Sequence, residues 1–113
     1  MHELGLTNAI IRTTDETLKE NGMSGANRIT LEIGEFSGVI PRFLESCWKA
    51  VIIDTKFAET QLIIEKVPGI LRCETCREEF PVPSGALRCP KCDSDKLTPI
   101  AGMDMIIKQI EAY

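Results

Sequence analysis

Four cysteines constrain this chain more than any other feature: Cys73-x2-Cys76, twelve residues, then Cys89-x2-Cys92. Two residues between cysteines let one turn aim two thiolates at a single ion, and two such knuckles make a tetrahedral, all-sulfur site. Soft thiolates select zinc or iron over magnesium or calcium. Four protein ligands leave no open coordination position, so Zn(II) held by Cys73, Cys76, Cys89 and Cys92 is expected to be structural. Residues 70–99 are poor in apolar side chains, and such a segment needs the metal's binding energy to fold. The alternative occupant is iron in a rubredoxin-like electron carrier. Those knuckles usually have a glycine after the second cysteine, where this chain has Arg77 and Asp93.

The segment does not read as a nucleic-acid binder. Over residues 68–100, five basic side chains (Arg72, Arg77, Arg88, Lys91, Lys96) are matched by five acidic ones, and Phe80 is the only aromatic. Phosphate binding therefore lacks both a basic stripe and a stacking platform. The whole chain is acidic, with 13 Lys plus Arg against 17 Asp plus Glu, which also disfavours an anionic membrane surface. No apolar run approaches the roughly 20 residues of a membrane span, and no signal-peptide pattern opens the chain. The expected location is the cytoplasm, where thiols stay reduced and cysteine clusters bind metal.

Around the cysteine segment, periodicity predicts an α+β layout. Residues 3–22 read as a helix with Leu6, Ile10, Thr13 and Thr17 on one stripe, widened by Leu4, Ile11 and Leu18. Residues 28–36 alternate, with Ile29, Leu31 and Ile33 facing one way. Pro41 suits the first turn of a second helix carrying Phe43, Leu44, Cys47, Trp48, Val51 and Ile52 on its apolar face. On that face Cys47 is expected to pack as a small hydrophobe. Residues 61–67 and 103–113 read as two more strands. The expected fold is two helices on a three-stranded sheet, formed by residues 1–67 plus 101–113, with an inserted four-cysteine, zinc-ribbon-like domain at 68–100.

The chain opens with MHEL, and His2 is its single histidine. A free amine, the His2 backbone nitrogen and the imidazole Nδ1 can close two fused chelate rings. A deprotonated amide ligand and planar, all-nitrogen coordination suit Ni(II) or Cu(II) rather than Zn(II). A bulky second residue also favours retention of Met1. An incidental, solvated chain end would carry the same residue.

MHEL, the run LEIGEFSGV (31–39), the two cysteine pairs and the closing IIKQIE (106–111) occur in this order along the whole chain. Together they resemble the HypA/HybF family of hydrogenase maturation accessory proteins. GMDM (102–105) departs from the run that family often has before its last strand. The resemblance implies a nickel metallochaperone, not an enzyme. It implies Ni(II) bound by Met1, His2 and Glu3, with zinc on the four cysteines. Implied partners are a HypB-type GTPase and the large subunit of [NiFe]-hydrogenase; some members also serve urease. Glu3 is the least direct of these ligands, because its backbone nitrogen poorly reaches the fourth planar position. Its carboxylate, water or a partner's ligand are the other candidates. Two rival readings are a zinc-ribbon adaptor without nickel and the rubredoxin-like carrier.

Overall fold

The computed structural model describes residues 3–113. Helix α1 (Glu3–Glu20) leads through a turn into β1 (Ala26–Gly34), followed by α2 (Pro41–Val51) and β2 (Gln61–Val67). Three short strands come next: β3 (Ile70–Cys73), β4 (Glu79–Pro81) and β5 (Leu97–Ala101). The last strand, β6 (Met105–Ala112), returns to the first sheet. One sheet has the order β2-β1-β6 and the other β4-β3-β5.

In the first sheet β1 is central, parallel to β2 and antiparallel to β6. Its inward side chains align across the sheet. Ile29 lies between Leu62 and Ile110, and Leu31 between Ile64 and Ile107. Both helices cover this face, so Ile10 and Leu18 of α1 and Leu44 and Trp48 of α2 join Ile29, Leu31 and Ile33 in one buried cluster. Trp48 reaches past that core to donate its Nε1–H to the Thr60 carbonyl at 3.2 Å. Thr60 in turn donates its hydroxyl to the Ala26 carbonyl at 2.6 Å. These two bonds pin the crossover between α2 and β2 to the start of β1, where a buried indole N–H would otherwise lack a partner.

Two expectations need correction. The buried stripe of α1 is Thr7, Ile10, Thr14 and Leu18, rotated from the expected one; Thr13 and Leu4 are exposed. Small β-branched side chains fit where the helix lies close to its neighbours, and the Thr7 hydroxyl is satisfied by the Glu3 carbonyl at 2.8 Å. On α2, Phe43 is 44% exposed and lies outside the core; the Arg42 guanidinium sits 5.0 Å from its ring centroid. The inserted cysteine segment forms the second sheet, in keeping with the expected zinc-ribbon-like domain. Its second cluster of buried residues joins Leu71, Cys73, Phe80 and Cys89, with Phe36, Val82 and Leu97 packed on it.

The two sheets lie along one long axis. The molecule measures 54 × 26 × 17 Å with a radius of gyration of 17.8 Å, whereas a compact chain of this length has about 13 Å. Among the described residues, no helix is long and apolar enough to cross a membrane.

Candidate metal centre

The four cysteines come from two turns with the same hydrogen-bond pattern. In the first, Cys73 ends β3 and its carbonyl accepts the Arg77 N–H at 2.9 Å, while its own N–H donates to the Glu78 carbonyl at 2.8 Å. In the second, the Cys89 carbonyl accepts the Asp93 N–H at 2.9 Å and the Cys89 N–H donates to the Ser94 carbonyl at 2.9 Å. Backbone N–H groups also point at sulfur. Cys76 donates to Cys73 Sγ at 3.5 Å and Lys91 to Cys89 Sγ at 3.4 Å. Thr75 and Ser94 tie the two turns together through their hydroxyls at 2.9 Å.

Each turn is closed by a residue in the left-handed region, Arg77 at φ 69° and Asp93 at φ 65°. This is the conformation glycine adopts most readily, and other residues hold it at a cost of about 1–2 kcal/mol. The backbone bend expected of glycine-bearing knuckles is therefore present without glycine. Residue type at these positions does not separate zinc from iron.

The sulfurs converge. Cys73 and Cys92 Sγ are 3.5 Å apart, Cys76 and Cys89 Sγ are 3.6 Å apart, and all four lie within 4.8 Å of one another. A tetrahedron with Zn–S near ~2.3 Å requires sulfurs about 3.8 Å apart, so the donor set fits zinc. Cys73 and Cys89 are buried and Cys92 is exposed, which leaves one face of the centre open to solvent.

The thiols cannot all ionise unaided. The Cys76 backbone N–H holds Cys73 down at about 6. Cys92 is pushed up to about 12: the Ser94 N–H favours its thiolate, but the nearby Cys73, burial and the other two sulfurs outweigh it. Cys76 is also raised, its Glu78 N–H bond being outweighed by burial and by Cys89. A cluster that ionises readily once and then resists further charge needs a cation among its sulfurs.

Of the remaining expected site residues, Met1 and His2 lie outside the described residues. Glu3 begins α1. Its amide belongs to the helix's first turn, where backbone N–H groups have no intrahelical acceptor. Cys47 is half-buried on α2, away from the four-cysteine cluster.

A protein-family model described as hydrogenase/urease nickel incorporation, metallochaperone, hypA matches residues 1–112. The chain belongs to the HypA family. The HypA match spans both sheets and the four cysteines. Hydrogenase maturation factor HypA of Geobacter metallireducens is 34% identical over 111 residues, covering 98% of each chain. Its counterpart in Chlorobaculum parvum is 31% identical over 110 residues, covering 97% of each. The solution structure of the Ni metallochaperone HypA from Helicobacter pylori superimposes with a TM-score of 0.68 at 24% identity, over 99% of this chain and 97% of that one. A second HypA solution structure gives 0.73 at 23% identity, over 100% and 97%. At such identities the likeness concerns the fold.

Proposed function

We propose that the chain carries Ni(II) at its amino terminus and passes it on during maturation of a [NiFe]-hydrogenase. The observation that carries this reading is the match of residues 1–112 to a nickel-incorporation metallochaperone family. The nickel site is formed by the Met1 amine, the His2 backbone nitrogen and imidazole, and Glu3. Its planar nitrogen donors favour nickel over zinc.

In the same proposal Cys73, Cys76, Cys89 and Cys92 hold Zn(II). The ion supplies the positive charge the thiolates need and takes no part in the handover. The converged sulfurs support this. The chain itself catalyses no bond chemistry. Its sequence has no phosphate-binding P-loop, so nucleotide energy comes from a HypB-type GTPase, and the large subunit of the hydrogenase receives the nickel. Urease is a second client class for the same cargo. The cytoplasm is the compartment that suits reduced thiols.

The test is complementation. In a host whose own copy is deleted, the native chain restores [NiFe]-hydrogenase activity and His2→Ala does not, at equal protein level and zinc content. Equal restoration by both would overturn the amino-terminal nickel site. A red, iron-loaded protein after purification would overturn the zinc assignment.

A further inference from the structure

The run Gly34-Glu35-Phe36 has no part in either metal site, yet it stands where the two sheets meet. Three segments cross there: the exit of β1, the Pro68-Gly69 link into β3, and the Gly102-Met103-Asp104 link from β5 to β6. Their approach excludes side chains. A Cβ on Gly34 would strike the Gly102 carbonyl, and one on Gly69 would strike the Phe36 ring. A Cβ on Gly102 would lie 2.8 Å from both Gly69 Cα and the Pro68 oxygen, at a residue whose φ is already +81°.

Every residue of the run is hydrogen-bonded where these segments meet, to the end of β2 or to one of the two links. The Gly34 N–H donates to the Asp104 carbonyl at 2.9 Å, the Glu35 N–H to the Val67 carbonyl at 2.9 Å, and the Phe36 N–H to the Gly102 carbonyl at 2.7 Å. In return, the Gly69 N–H donates to the Glu35 carboxylate at 2.8 Å. The Phe36 ring then leaves the sheet that carries it and packs on the cluster of Leu71, Cys73, Phe80 and Cys89. A side chain rooted at the end of β1 thus completes the core beneath the metal centre.

We infer that Glu35 and Phe36 are positioning residues that lock the cysteine lobe to the α/β sheet as one rigid body. The default for two small lobes joined by short links is relative motion. The Glu35 carboxylate on Gly69 and the Phe36 ring in the second core oppose it, and the backbone bonds of the run hold the end of β2 and the Gly102-Asp104 link against β1. The locked end is also where the helix carrying Glu3 begins. Thr17 and Leu18 share a cavity with Ile110 and Ala112, and Thr13 and Thr17 share the next with Ile107 and Ile110. Helix α1 and β6 therefore run in the same direction. From Thr13 back to Glu3 is about 15 Å of helix, which reaches the level of Gly102 along the strand at about 3.4 Å per residue. The clamp fixes the cysteine lobe relative to the start of α1, and this holds whether or not nickel is carried there.

Residual dipolar couplings of the full-length, zinc-loaded protein test the clamp. In the native chain one alignment tensor should describe both lobes. In Phe36→Ala the common tensor should be lost, with zinc content unchanged. A second pair covers the case in which Phe36→Ala fails to fold. Glu35→Ala should speed exchange of the Gly69 amide roughly tenfold and loosen the common tensor. Glu35→Gln, which keeps an acceptor oxygen, should restore both. Two tensors in the native protein would overturn the inference, as would a single tensor surviving both alanine variants.

Discussion

The sulfurs of Cys73 and Cys92 lie 3.5 Å apart although the two residues are nineteen positions apart in sequence. Each is the corner ligand of a different turn, so removing one opens the whole cluster. Cys73→Ala should abolish tight binding of one Zn(II) per chain and melt the segment from β3 to β5. The first sheet should persist, because its buried cluster shares no residue with the second. X-ray absorption of the native protein should show four sulfur neighbours near ~2.3 Å. Retention of that signal in Cys73→Ala would contradict the assignment.

Zinc affinity should weaken in two stages as pH falls. Four thiolates bind the ion, so uptake releases whatever protons the metal-free cluster holds, and affinity rises with pH. Cys92, pushed up to about 12, releases its proton over the whole physiological range. Cys73, held down at about 6, releases one only below that value. Chelator competition from pH 8 down to pH 5 should therefore show weakening that steepens below about pH 6. A flat profile would exclude thiolate ligation.

Leu31 is 0% exposed at the centre of the middle strand. Leu31→Ala should cost about 2–5 kcal/mol in urea unfolding followed by the fluorescence of Trp48. Zinc content at low denaturant should not change.

Asp15 joins α1 to the loop after α2 through Lys56, and to Lys19 at 3.1 Å. The Lys56 bond, then the Lys19 bond, lower its pKa in the folded protein. A depressed carboxylate contributes stability above its unfolded pKa and loses it as pH falls through the folded value. Asp15→Asn should lower the melting temperature at pH 7, and the difference from the native protein should shrink as pH falls below the ordinary carboxylate range of about 3.9. A constant difference across that range would show that the charge is not responsible.

What the sequence makes legible follows from how local each signal is. Ile29, Leu31 and Ile33 alternate within one strand, and Leu44, Trp48 and Ile52 recur every four residues along one helix and its C-cap, so periodicity finds them. The cysteine knuckles are equally local, which is why their convergence can be expected from spacing alone. Thr7 and Thr14 escape because the expected stripe runs through Thr13 and Thr17, and hydropathy does not tell one threonine from its neighbour when only the packing decides which is buried. Strands β3, β4 and β5 have four, three and five residues, too short for a period to register, and Pro99 interrupts the pattern of the last. Phe36 reads only as the end of an alternating run. Its partners Leu71, Val82 and Leu97 lie far along the chain, and nothing beside it announces them.

The most direct measurement of the nickel account is calorimetric Ni(II) titration of three zinc-loaded proteins: the native terminus, His2→Ala, and a chain with Gly-Ser added before Met1. The extension leaves His2 in place but turns the Met1 nitrogen into an amide and moves the free amine away, while His2→Ala removes the imidazole and keeps the amine. Tight, one-to-one binding is expected of the native protein, weakening as pH falls from about 8 to about 6 through the amine and imidazole ranges. Severe loss is expected in both altered proteins, with zinc content and melting temperature unchanged. Equal binding by all three would contradict the nickel account and leave a zinc-ribbon adaptor as the better description.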